Sequence, residues 1–144
     1  MIEQDTIKLL RECDAGIKMG VASIDEVLDY VKSSELKELL SECKREHDNL
    51  NEEVQKLLDK YKDEGKDPNP IAKGMSWMKT GVMLAMKECD PTIADLMVDG
   101  CNMGVKSLSR YLNQYAAADE DAKDLCKKLI AMEESLSVDL RAYL

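Results

Sequence analysis

Two apolar seams at helical spacing constrain the fold of this chain more than any other feature of its sequence. Both advance by three or four residues at a time, the spacing that places side chains on one face of an α-helix. The first consists of Ile7, Leu10, Asp14, Ile17, Val21, Ile24, Leu28 and Val31. The second consists of Leu36, Leu40, Cys43, His47, Leu50, Val54, Leu57 and Tyr61. The chain is therefore expected to begin with two long amphipathic helices.

Each seam is interrupted by one polar residue that could act in ligand binding or catalysis. Asp14 lies in the first seam and His47, the only histidine of the chain, lies in the second. Both are predicted to point toward the core. A buried carboxylate or imidazole must be paired or bound to something, so these two positions mark a candidate site.

Caps and helix breakers predict five helices in all. The first spans about 4–31, and a serine cap at 33 or 34 starts the second, which reaches about 64 and stops at Gly65. Asn69 followed by Pro70 starts a third helix over about 70–88. Asp90 followed by Pro91 repeats that signal for a fourth helix ending near 117. An aspartate cap at 119 starts the fifth, which continues to the C-terminus.

Helix lengths and connections then predict the topology. The first, second, fourth and fifth helices are long and are joined in pairs by short turns, so each pair forms an antiparallel hairpin. A connection of about 25 residues between the hairpins is long enough to carry the chain back along the bundle. The prediction is an all-α four-helix bundle with a long helical crossover, and a plain up-and-down array of five helices is the competing topology.

Length, net charge and cysteine pattern limit the size, the partners and the cellular compartment expected for this chain. The 144 residues are the size of one domain, taken as 1–144. A net charge of −9 disfavours nucleic-acid binding. The start carries no secretory signal pattern, no apolar stretch is long enough to span a membrane, and five cysteines without CxxC spacing suit a reducing compartment. We expect a cytoplasmic protein without membrane or nucleic-acid partners.

The hairpin geometry allows Asp14 and His47 to approach each other. With the first turn near residues 32 and 33, Asp14 faces residue 51 and His47 faces residue 18, about one helical turn apart. Cys43 lies one turn before His47, so the three residues could supply ligands of the types that zinc accepts. The alternatives are a buried Asp–His pair without metal and two residues at the polar margin of the bundle. A Cys43–His47 nucleophile is disfavoured because a buried helix face gives a substrate little access.

The other hairpin contributes further acids. Asp95, Asp99, Glu133 and Glu134 lie on the predicted fourth and fifth helices, where most acids are solvated. Asp99 neighbours the Gly100–Cys101 stripe, and Glu134 borders the stripe of Met132 and Leu136.

Two helical hairpins joined by a long crossover resemble the ferritin-like superfamily. The segments RECDAGIKMGVASI, ELKELLSECKREHDNL and IADLMVDGCNMGVKSLSRYL are similar to a bacterial branch of ferritin-like domains of unknown function. Metal-binding members place a Glu on each of two helices and a Glu-x-x-His motif on each of the other two.

This chain departs from that ligand pattern. One histidine cannot supply two Glu-x-x-His motifs: Glu42 is followed three residues later by Arg45, and Glu134 by Ser137. The resemblance therefore implies either a remnant of a metal centre or a reduced site for iron, manganese or zinc. The candidate ligands of such a reduced site are Asp14, Glu42, Glu46, His47, Asp99 and Glu134.

The sequence favours a non-catalytic bundle that works by self-association or by binding another protein. The methionine-rich crossover is expected to cover the open side of the bundle, and the alternative is an adaptable surface for a partner, with Trp77 as the contact of a homo-oligomer. The alternative is a metal-binding protein with a reduced site around Asp14 and His47, followed by an oxidase with an unusual ligand set.

Overall fold

A computed structural model describes residues 2–67 and 89–144. Within them the chain forms α1 (Ile2–Leu28), α2 (Ser34–Lys60), α3 (Asp90–Gln114) and α4 (Glu120–Leu140), followed by a short 3₁₀ turn, Arg141–Tyr143. These ranges contain no strand, and the four helices pack against one another. The predicted all-α four-helix bundle is confirmed.

The sequence signals for helix starts are confirmed at two positions and corrected at a third. The Ser33 side chain accepts a hydrogen bond from the Leu36 amide, and the Asp119 side chain accepts one from the Ala122 amide. Asp90 is not a cap, because Cys89 takes that position. The Asp90 carboxylate instead accepts the backbone amides of the first hairpin turn, Lys32 at 2.9 Å and Ser33 at 2.8 Å.

Contacts at the helix ends establish the topology. The start of α3 is bonded to the turn between α1 and α2 through Asp90. At the opposite end of the bundle, Asp119 lies in the turn between α3 and α4. Its amide donates to Thr6 Oγ1 near the start of α1, and its carboxylate accepts from the hydroxyl of Tyr61, which lies at the end of α2. Helices α2 and α3 therefore run parallel. Two antiparallel hairpins are present with α2 and α3 parallel, and the connection that separates the crossover topology from the five-helix array lies outside the described residues.

The second predicted seam forms core along most of its length, whereas the first is buried only at Leu10, Asp14, Ile17 and Ile24 and its neighbours Leu9, Cys13 and Val27 complete the core. Along α2, every seam residue from Leu36 to Val54 is buried, and near the helix end burial moves from Leu57 to Leu58. Asp14 and His47 are 0% and 1% exposed, as the seams predict. Two apolar clusters fill the bundle on either side of its middle, where the side chains of His47 and Glu133 lie.

Some predictions fall on residues that the structure does not describe, and others concern disulfide pairing and membrane spans. The predicted helix over 70–88 and the Trp77 contact lie outside the described ranges. No disulfide joins the five cysteines, all of which are described. None of the described helices has the length and apolarity that crossing a membrane requires.

Candidate functional site: a groove between α1 and α3

A groove of about 440 Å³ runs between α1 and α3 and reaches the middle of the bundle. On α1 its lining extends from Glu12 to Val27, which corresponds to a length of about 22 Å at 1.5 Å per residue. His47 of α2 and Glu133 of α4 form the polar part of its floor, and the remaining floor is apolar. Binding pockets in proteins commonly combine an apolar lining with a few placed polar groups.

The two walls of the groove carry the same short sequence. The pattern G-x-x-M-G-V-x-S occurs in α1 from Gly16 to Ser23 and in α3 from Gly100 to Ser107. All the fixed residues of both copies except the valines line the groove: Gly16, Met19, Gly20, Ser23, Gly100, Met103, Gly104 and Ser107. Both walls therefore present bare backbone at the glycines and flexible thioethers at the methionines.

His47 and Glu133 form a buried ion pair at the floor. The His47 Nε2–H donates to Glu133 Oε1 at 2.9 Å, and the Nδ1–H donates to the Cys43 carbonyl at 2.8 Å. Both ring nitrogens face acceptors, so the ring carries both protons. Burial lowers the pKa of His47, but the hydrogen bonds with Cys43 and Glu133 outweigh it and raise the pKa to about 10.

Glycines flank the His47–Glu133 pair on both groove walls, and at Gly20 a side chain would press on His47. A Cβ at Gly20 would lie 3.0 Å from His47 Nε2 and 3.7 Å from Glu133 Oε1, and one at Gly104 would lie 3.6 Å from Glu133 Oε2. The Glu133 side chain is 12% exposed. The carboxylate is therefore reachable from the groove while its imidazolium partner stays buried.

The apolar stripe of Met132 and Leu136 favours Glu134 as the candidate ligand of the last helix, whereas the structure places Glu133 at the floor of the groove. A comparison of the two halves would have found it. Moved by 86 positions, the Ser33 cap falls on the Asp119 cap and His47 falls on Glu133. The matching core positions of the two helices are Leu36, Leu40, Cys43, Leu50 and Val54 in α2, and Ala122, Cys126, Leu129, Leu136 and Leu140 in α4.

Asp14 is fully occupied by protein donors away from His47. Its Oδ1 accepts from Asn51 Nδ2 at 3.0 Å and Gln55 Nε2 at 2.8 Å. Its Oδ2 accepts from the Lys66 amide at 3.0 Å and from Lys18 Nζ at 2.9 Å. Four donors saturate the acceptor positions of a carboxylate, so Asp14 has a structural role that joins α1 to α2 and the segment after it.

The prediction of which residues lie opposite each other in the first hairpin is accurate, but Asp14 and His47 contact different partners. Asp14 bonds to Asn51 as predicted, and His47 lies against Gly20, two positions from the expected residue 18. No hydrogen bond or ion pair joins Asp14 to His47. Helix height alone does not fix the direction of a side chain around the helix, which here separates the two.

The other four candidate ligands lie on the surface. Glu42, Glu46, Asp99 and Glu134 are exposed, and Glu42 pairs with Arg45 on its own helix. The structure does not bring them to His47. In residues 2–67 and 89–144, no group of three or more His, Cys, Asp or Glu side chains is arranged to hold a metal ion.

The thiols near the floor are placed for packing rather than reaction. Cys43 Sγ lies 3.5 Å from His47 Nδ1, and both residues are buried. Burial and the neighbouring Glu133 carboxylate raise the pKa of the Cys101 thiol, which keeps it protonated. A raised pKa and low exposure both oppose nucleophilic reactivity.

No family model, characterised protein or solved structure matches this chain.

Proposed function

We propose that this chain is a non-catalytic binding protein that takes a small, elongated apolar molecule into the groove between α1 and α3. The observation that carries the proposal is the groove itself, with its duplicated walls and its ion-paired floor. The sequence favours a non-catalytic bundle, and the groove supplies such a bundle with a binding surface.

The cost of the glycines supports a groove that is kept open. A glycine inside a helix destabilises a protein by about 0.5–1 kcal/mol relative to alanine. At Gly100 no described atom lies within 4 Å of an added Cβ, and at Gly16 the nearest are at 3.7 and 3.9 Å. Neither glycine is needed to avoid a collision with a described residue. An added side chain would instead occupy the groove.

The state of His47 supports binding rather than acid–base catalysis. A general base must be deprotonated at the working pH. Two acceptors hold both ring protons of His47, and its raised pKa keeps the ring charged near neutrality. The imidazolium thus serves to fix the Glu133 carboxylate at the floor.

The fluorescent apolar probe N-phenyl-1-naphthylamine tests the proposal. We expect saturable binding by the purified protein, because the probe can displace weakly held water from the apolar walls. Gly100→Leu should weaken this binding at least about tenfold by filling the groove. Asn102→Leu adds the same side chain to the same helix outside the groove lining and should leave binding unchanged.

Helical content and unfolding curves of both variants would be recorded alongside binding. A native protein without saturable probe binding would overturn the proposal. So would a folded Gly100→Leu variant that binds as well as the native protein.

The ferritin-like relationship is kept as part of this proposal. Two antiparallel hairpins with α2 and α3 parallel are the arrangement that such a relationship implies. On this proposal, His47 and Glu133 occupy the middle of the bundle where metal-binding members hold their ligands, and Gly20 and Gly104 leave the flanking positions empty. Self-association through Trp77 stays a prediction.

A further inference from the structure

The described lining of the groove contains more acidic than basic residues. Its acids are Glu12, Glu26 and Glu133, and its bases are Lys66 and His47. Lys66 pairs with Glu12 at 2.6 Å and His47 pairs with Glu133. Glu26 makes no ion pair or hydrogen bond within the described part of the chain. Counted over the described residues, the groove lining therefore carries one uncompensated negative charge in a protein of net charge −9.

The floor has acceptor capacity directed to the groove. Within the described residues, Glu133 accepts a hydrogen bond from His47. An ionised carboxylate can accept about four hydrogen bonds. Glu133 lines the groove and its side chain is 12% exposed, so we expect its unused acceptor positions to be available to a bound molecule.

We infer that the groove prefers a lipophilic ammonium compound, with the ammonium group at Glu133 and the apolar chain along the methionine-bearing walls. This inference rests on the proposed function and names the chemical class of its ligand. A hydrogen bond from an ammonium to a carboxylate is roughly twice as strong as one between neutral groups. A carboxylate ligand would meet Glu133 and Glu26 with like charge and is disfavoured.

Three chains of equal length and different head group test the inference. Dodecylammonium, 1-dodecanol and dodecanoate would compete with N-phenyl-1-naphthylamine for the native protein, below their aggregation limits. Dodecylammonium should displace the probe at concentrations at least about tenfold lower than either other compound.

Two matched substitutions separate the site from attraction to an acidic surface. Glu133→Gln should remove most of the preference for dodecylammonium over 1-dodecanol in the same variant. Glu134→Gln, the exposed neighbour, removes the same charge from the surface and should retain the preference.

The outcomes distinguish this inference from the proposed function. Equal or tighter displacement by 1-dodecanol or dodecanoate on the native protein overturns the ammonium preference, while probe binding in the groove stands. An ammonium preference lost equally in Glu134→Gln also overturns it. A native protein that binds no probe overturns the proposed function itself. The comparison on the native protein holds even if Glu133→Gln does not fold.

Discussion

Gly20 and Gly100 lie in the same groove but meet different surroundings. Gly100→Ala should raise the free energy of unfolding by about 0.5–1 kcal/mol, because it removes backbone freedom without a collision. Gly20→Ala should lower it by about 1–3 kcal/mol, because the new Cβ would press on His47 Nε2. Urea unfolding of both variants measures the difference, and a destabilised Gly100→Ala would contradict the open space assigned to that position.

The charge of His47 makes part of the stability depend on pH. Its folded pKa of about 10 lies above the ordinary 6.5, so its contribution is complete below pH 6.5 and is lost as pH rises through 10. At about 1.4 kcal/mol for each pH unit, the contribution reaches at most about 5 kcal/mol. We expect the stability advantage of the native protein over His47→Gln to shrink across this window.

The single histidine allows a direct check by NMR titration of its ring protons. A pKa near 10 agrees with the buried ion pair to Glu133. A midpoint near 6.5, or a stability difference that does not change with pH, would contradict it.

At the scale of the helices, Asp14 holds the first hairpin together. Asp14→Ala should destabilise the protein by about 3–5 kcal/mol, because it leaves buried donors and the Lys18 ammonium without their partner. Asp99→Ala, at an exposed aspartate of α3, should change stability by less than about 0.5 kcal/mol. Thermal unfolding with and without a chelator compares them. A chelator effect as large as that of Asp14→Ala would argue for a metal at Asp14.

The helices and their pairing could be predicted from sequence because they depend on local spacing. The α2 seam, the caps at Ser33 and Asp119 and the parallel arrangement of α2 and α3 all follow from patterns and lengths. The site could be predicted only in part. Burial of Asp14 and His47 follows from their seams, whereas their partners depend on how the second hairpin packs on the first.

Glu133 shows why the partners were harder to predict. Glu133 and Glu134 are adjacent acids beside the same apolar stripe, and a rotation of about 100° around α4 decides which one faces the core. The match between α2 and α4 fixes that rotation, because it places Glu133 at the position that His47 occupies in the first hairpin.

At the scale of the whole molecule, we expect a protein that does not depend on metal. Protein produced with added iron, manganese or zinc and purified without a histidine tag should contain far less than one metal atom per chain. The physical reason is that no three ligand side chains converge among the described residues and the remaining acid candidates lie on the surface. Stoichiometric metal that is lost in a folded His47→Ala variant would contradict this and favour the metal-binding alternative.

Ligand occupancy of the groove is the central claim, and methionine methyl NMR tests it most directly. In protein labelled with ¹³C at the methionine methyls, titration with N-phenyl-1-naphthylamine should shift the signals of Met19, Met97 and Met103, which line the groove. The signal of Met132, which packs against the core and does not line the groove, should stay in place. Unchanged signals from all three groove methionines at saturating probe would contradict the account.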